Sequence, residues 1–387
     1  MENVSSRCGK SDNAPRLRFP EFSGEWLSTT LGAIGTFTKG APLSKADIAS
    51  EGTPFILYGE LYTTYKEVTT EIKRRTLKTA NDECMSRVGD VIIPTSGETP
   101  DEIATATCIM VSNVILAGDL NIYRNSTIDG RFISYIINHV INGDISRIAQ
   151  GKSVVHIKAS ELAKLRINYP SRQEQNKIID FLMLLNRKIA KQQSLINALK
   201  TYKRGVMNKL FDENIEFDKY LKWEKVEEIF KTINDKPYQV QSCSYFQNGL
   251  YDIVDQGKKE IVGFCDYNDK LFIDVPVIIY GDHTTLVKYR EKKFIVGGDG
   301  VKLLKSRDSN INLKYLYYAL LRYNIKLEGY KRHFSILKEV SLPIFEKCIQ
   351  DEIAKIMTCI DSYIKLHENK LSSLLSLKSS LLQKMFI

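Results

Sequence analysis

From residue 178 onward, apolar residues recur at alternating steps of four and three: Ile178, Leu182, Leu185, Ile189, then Ile196, Leu199, Val206 and Leu210, with Gln192 and Lys203 breaking the stripe. A seven-residue apolar repeat held over several heptads predicts a long helix that buries one narrow seam against another helix. The same chain supplies the partner. Adding 175 to each number gives Ile353, Met357, Ile360, Ile364, Leu371, Leu374, Leu381 and Met385, and the two breaks land on His367 and Lys378. The exits match as well, Asn208-Lys209-Leu210-Phe211 against Gln383-Lys384-Met385-Phe386. Because the interruptions repeat with the stripe, the segments read as two copies of one element. Helix pairing is assigned to Ile178, Leu182, Leu185, Ile189, Ile196 and Leu199 in the first copy, and to Ile353, Met357, Ile360, Ile364, Leu371 and Leu374 in the second.

Outside these segments the period changes. Residues 1–14 are polar and aperiodic, a flexible tail. Short runs rich in β-branched residues at 55–58, 90–94 and 107–116 predict strands, and Phe132, Ile133, Ile136 and Ile137 fall on one side of a short helix. After a charged bridge at 212–234 the pattern returns. Residues 275–281 answer 90–94, Gly298-Asp299-Gly300-Val301 answers Gly118-Asp119-Leu120-Asn121, and a short helix follows at 313–321. Trp26 and Trp223 open the two halves, with Leu31 and Ile34 answered by Val226 and Ile229. Gly151 and Gly329 each introduce a basic, His-containing stretch before the alternations Leu165/Ile167 and Val340/Leu342.

The predicted fold is α+β: two mixed α/β domains related by pseudo-two-fold symmetry and separated by two long antiparallel coiled-coil helices. Its boundaries are a tail at 1–14, a first domain at 15–170, a helix at 171–211, a second domain at 212–345 and a helix at 346–387. The second domain joins the end of one helix to the start of the other, which makes the helices antiparallel, each roughly 50 Å long at about 1.5 Å per residue. The polar seam positions are then expected to face apolar ones, not each other.

Composition removes several classes of function. With 43% hydrophobic and 26% charged residues in 387, the chain is of the folded globular kind, and no run of 18 apolar residues predicts a membrane span. The N-terminus lacks the apolar stretch of a signal peptide. Seven cysteines without a C-x-x-C pair fit reduced thiols in the cytoplasm, not a disulfide framework or zinc site. There is no Pro-Pro pair of an Asn/Asp-Pro-Pro-aromatic methyltransferase motif, no P-loop, no H-E-x-x-H and no G-x-S-x-G. The Glu-x-Lys pair at 291–293 is of a kind that arises by chance in a Lys- and Glu-rich chain. A non-catalytic chain that binds no metal or cofactor is expected. The net charge of +9 is modest, but the first helix segment, 174–211, holds eight Lys or Arg against two acids, while 346–387 holds six against five.

Two diverged heads on a constant spacer suit a target with two parts at fixed separation, such as two half-sites on double-stranded DNA. Basic residues interleaved with Tyr, Ser and Thr in loops suit phosphate positioning and base-edge contact. In the first head the candidates are Lys39, Lys45, Lys73, Arg74, Arg75, Ser96, Lys152, Ser153 and His156. In the second they are Lys236, Tyr238, Gln239, His283, Thr284, Lys288, Arg290, Lys331, Arg332 and His333.

The opening Leu17-Arg18-Phe19-Pro20-Glu21-Phe22 with Trp26, the phrase Tyr169-Pro170-Ser171-Arg172-Gln173-Glu174-Gln175-Asn176-Lys177-Ile178, the stretch Gly151-Lys152-Ser153-Val154-Val155-His156-Ile157-Lys158 and the ending Leu381-Leu382-Gln383-Lys384-Met385-Phe386 carry a resemblance. From Pro15 to Ile387 the chain resembles the DNA-specificity subunit of type I restriction-modification systems. The resemblance implies two target-recognition domains that each read half of a bipartite site. It also implies docking to two methyltransferase (modification) subunits and two restriction/translocase subunits, to which S-adenosylmethionine, ATP and Mg would belong. The second half departs from the pattern: Pro343 comes two positions before the equivalent of Pro170, and Ile349-Gln350 stands where the first half has Glu174-Gln175. Two other readings are a two-headed protein-binding adaptor and the recognition fragment of a fused restriction-methylation enzyme. Steep loss of binding with salt separates a DNA reader from the adaptor.

Overall fold

The computed structural model describes residues 13–149, 151, 155–211, 221–241, 245–329 and 331–387. The chain forms two compact units, Met1–Lys191 with Leu371–Ile387, and Gln192–Lys370.

In the first unit, the strand Asp90–Pro94 lies at the centre of a five-stranded sheet ordered Gly35–Lys39, Leu120–Asn125, Asp90–Pro94, Thr107–Ile109, Val68–Thr69. It is buried on both faces, so it reads as a continuous apolar run. Val91 and Ile93 enter the main core with Trp26, Tyr123 and the helix Gly130–His139, whereas Ile92 joins Ile56, Leu116 and Ile122 on the other face. A second sheet holds Arg75–Thr76, Thr53–Leu57 and Ile115–Ala117. The single strand expected at 107–116 is therefore two strands in different sheets. The break is a left-handed turn at Asn113 (φ 62), where Ser86 Oγ donates to Val111 O and accepts from Val114 N.

The second unit repeats this plan. Its strands Phe230–Ile233, Val301–Ser306, Val277–Gly281 and Val287–Arg290 stand in the order of the first four strands of the five-stranded sheet, and the helix Leu313–Tyr323 packs where Gly130–His139 does in the first unit. Each unit opens with a strand and a one-turn helix, Leu27–Thr30 with Leu31–Ile34 and Lys222–Lys225 with Val226–Ile229. Leu31 and Val226 are equivalent, as are Ile34 and Ile229. The tryptophans are not: Trp26 precedes its strand and is buried, while Trp223 lies within its strand and is exposed.

The long helices are Arg172–Leu210 and Lys347–Met385, each 39 residues, with bounds offset by the same 175 at both ends. Within the first unit the start of one meets the end of the other, Ile178 and Leu182 sharing a core with Leu382, Met385 and Phe386. Within the second unit Val206 and Met207 meet Ile353 and Met357. The pairing is antiparallel in each. Ile178, Leu182, Leu185, Ile189, Ile196, Ile353, Met357 and Ile364 are buried, and Leu199, Ile360, Leu371 and Leu374 are half-buried.

One seam expectation is overturned. Gln192 and His367 face each other: the Gln192 amide donates to His367 Nδ1 at 2.7 Å and to its carbonyl at 2.9 Å. Two antiparallel copies of one helix bring a position opposite its own equivalent at a single level, and here that level is the polar one. The two lysines do not meet. Lys203 pairs with Asp361 at 2.5 Å and Lys378 with Glu67 at 2.7 Å.

The departure at Ile349-Gln350 leaves the helix start intact, because the glutamine keeps its work. Buried Gln175 accepts from Asp129 N at 2.9 Å and donates to Pro170 O at 2.9 Å. Buried Gln350 accepts from Asn312 N at 2.8 Å and donates to Phe345 O at 2.7 Å. Each ties the N-cap of the short helix to the turn before the long one. Glu174 instead forms a two-pronged pair with Arg18 at 2.7 Å, a contact to the N-terminal segment.

Candidate nucleic-acid interface

The first unit contains a cleft of about 1240 Å³ between the segment after Gly35–Lys39, the turn at 118–121 and the residues following His156. Gly40 lets the walls close: a Cβ there would meet Leu116 O at 2.9 Å and Gly118 O at 3.0 Å. The cleft gathers Lys39, Lys45, Arg74 and His156, which are 117 positions apart in sequence at the extremes. Glu60 lies beneath them, its carboxylate accepting from Leu57 N at 3.2 Å and pairing with Arg74 Nε at 3.1 Å. Burial pushes the Glu60 carboxyl up from its ordinary range, against the backbone bond from Leu57 and the Arg74 charge.

The other first-unit candidates differ in kind. Lys73 is exposed, and Arg75 Nη1 donates to Gly52 O at 2.8 Å. Ser96 is buried, its hydroxyl donating to Asp119 Oδ2 at 2.8 Å, which makes it a brace for the turn and not a surface donor. Lys152 and Ser153 lie outside the described residues.

In the second unit the same region carries other side chains. His156 and His333 lie in answering basic stretches, but the hydrogen bonds set them one residue out of register. Ile157 N donates to Thr95 O at 3.0 Å, just past the strand Asp90–Pro94, and His333 N donates to Asp282 O at 2.8 Å, just past Val277–Gly281. His333 thus occupies the buried place of Ile157, with none of its surface exposed, while Arg332 stands where exposed His156 does. His283 and Lys331 come together, His283 Nδ1 lying 3.3 Å from Lys331 O. Thr284 Oγ1 donates to Gln256 O at 2.6 Å.

Lys288 and Arg290 are also drawn inward, because alternation along Val287–Arg290 turns both to one face. Lys288 Nζ donates to Asp255 O at 2.8 Å and Lys259 O at 2.6 Å, and Arg290 pairs with Asp252 and Glu260. Burial pulls the Lys288 ammonium below its ordinary range, against the opposing charge of Asp255. Lys236 is exposed. Tyr238 packs edge-on against Phe272 at 5.0 Å, and the Gln239 carbonyl accepts from Lys270 Nζ at 3.0 Å.

Two features escaped the sequence. Phe246, Leu250 and Tyr267 are exposed apolar groups flanking the strands Tyr251–Val254 and Gly263–Cys265 of the second unit, Leu250 with 78% of its surface open. No periodicity marks them. On the long helices Phe181, Leu184, Leu195 and Tyr202 are each exposed, as are Ile356, Tyr363, Leu366 and Leu377. Ile356 and Leu377 are the equivalents, 175 residues on, of Phe181 and Tyr202.

Among the described residues there is no group of three or more His, Cys, Asp or Glu arranged to hold a metal, and no helix is long and apolar enough to cross a membrane.

The family model described as type I restriction modification DNA specificity domain matches the chain twice, at residues 23–201 and 220–376. A relative from Methanocaldococcus jannaschii, provisionally named type I restriction enzyme MjaX specificity subunit, is 24% identical over 272 residues. That match covers 63% of this chain and 64% of the relative, so the chain spans just under two thirds of the relative's length. Among solved structures, the S subunit of a type I restriction-modification system from M. genitalium superposes with a TM-score of 0.65 at 18% identity, covering 97% of this chain and 99% of that one. A chain from a study of complex assembly and conformational transition of the type I R-M system gives 0.56 at 15%, covering 93% and 97%. At such identities the likeness is one of fold.

Proposed function

The chain belongs to the type I restriction-modification DNA specificity family, and from that premise we propose that it is the specificity subunit of such a complex, each unit reading one half of a bipartite DNA site. One observation carries this reading. The two units share a sheet order and helix placement, yet equivalent places carry different side chains: exposed His156 stands where the other unit has Arg332, and buried Ile157 where it has His333. A constant frame with unlike side chains suits a non-palindromic target. The equal long helices set the gap between half-sites, and the apolar residues exposed on them dock two modification subunits, which bring S-adenosylmethionine. The restriction/translocase subunits, with ATP and Mg, join through that assembly.

The test is to co-express the chain with a cognate modification subunit and map methylated adenines in the host DNA. The expected result is one motif of two short, unlike blocks with an unspecified gap. A continuous motif would overturn the two-reader proposal. An adaptor that binds protein through the same faces would give no methylation, and its contacts would lack the steep salt dependence of a DNA complex.

A further inference from the structure

Building on the reading of the chain as a DNA reader, we propose that Arg74 recognises a guanine in the half-site of the first unit and that Glu60 is the residue that positions it. In sequence, Lys73, Arg74 and Arg75 are one basic run. Folding gives them separate fates: Lys73 is exposed, Arg75 is bound to Gly52 O, and Arg74 alone of the three lines the cleft. Glu60 is 3% exposed, and its carboxylate grips the Nε side of the Arg74 guanidinium at 3.1 Å, while the Phe55 N–H holds the Arg74 carbonyl at 3.1 Å. The rest of the guanidinium fork is directed by a partner that cannot move away.

Pairing with Glu60 reduces the net charge at Arg74, so a phosphate is better served by Lys39 and Lys45, exposed ammonium groups in the same cleft. What Arg74 retains is direction. A planar fork donates two parallel bonds to two acceptors side by side, and among base edges in the major groove guanine offers O6 with N7. Adenine sets an amino donor beside N7, which a guanidinium cannot satisfy. The cleft therefore holds one directional reader among non-directional anchors.

The full chain, R74A and E60Q are each used to select duplexes from a randomised pool, and the chosen sites are remade with 7-deazaguanine, which lacks the N7 acceptor, at each guanine in turn. For the unaltered chain one such replacement should weaken binding about tenfold, a single good base contact, and for R74A the same replacement should change it less than twofold. E60Q should lose several-fold of the preference for that guanine while binding to unrelated duplex holds or strengthens, since a negative charge is gone. A merely structural role for Glu60 would lower both together. Unchanged guanine preference in R74A, or no sensitive guanine in the unaltered chain, overturns the assignment and leaves the DNA-reader reading standing. Selection of no sequence at all overturns the reading itself.

Discussion

At the scale of single residues, Glu67 is a buried carboxylate held from two sides. Burial alone would raise its carboxyl, but a 2.8 Å contact to His139 and the 2.7 Å pair with Lys378 outweigh that and hold it at about 2, below an ordinary 4.5. A carboxyl lowered on folding contributes stability that is complete above about pH 4.5 and is lost as pH falls toward 2. Replacing Lys378 by Met leaves a buried charge with half its support and should cost about 3 kcal/mol at pH 7 by urea denaturation. That penalty should shrink toward zero as the pH is lowered through the same window, because a protonated Glu67 no longer needs the ammonium. A penalty independent of pH would mean that Lys378 acts by packing. The equivalent lysine, Lys203, instead finds Asp361 on the other long helix, beside the Tyr318 ring at 5.5 Å. Equal lysines in a repeat thus acquire unequal partners.

At the scale of elements, the helix pair combines an apolar seam with one polar level. The Gln192 amide donates to the His367 ring there, and removing either side chain leaves the other without that partner, while removing both leaves no such group. Q192L alone should therefore destabilise the second unit by about 1 to 2 kcal/mol, and the double variant Q192L/H367L should recover most of that loss or exceed the unaltered chain. Additive losses in a denaturation double-mutant cycle would show that the pair is not coupled. Such a level limits sliding, since any shift by a heptad would set Gln192 against an apolar residue. The glutamines at 175 and 350 show how an element's start survives divergence: the residue that ties two caps together is kept while its neighbour changes from Glu174 to Ile349.

At the scale of the whole molecule, constancy and variation are divided between helices and sheets. If the helices set the gap, deleting one heptad from each at matched positions shortens them by about 10 Å and should change the gap by on the order of three base pairs, with both half-sites unchanged. Methylation mapping of the shortened chain checks this, and altered half-sites with a constant gap would reverse the assigned roles. What the sequence by itself determined is the repeat: helix length, the seam residues, the 175-residue offset and the order of parts follow from a period, and periodicity is local along the chain. The places of Trp223, His333, Lys288, Arg290 and Ser96 depend on which face a strand turns inward and on a one-residue shift, and neither leaves a local signal. Only the tertiary structure separated Arg74 from Lys73 and Arg75, or brought Glu67 to Lys378 across 311 positions. Those pairings are made by segments distant in sequence and joined by burial, where the cost of an unpaired polar group selects the partner.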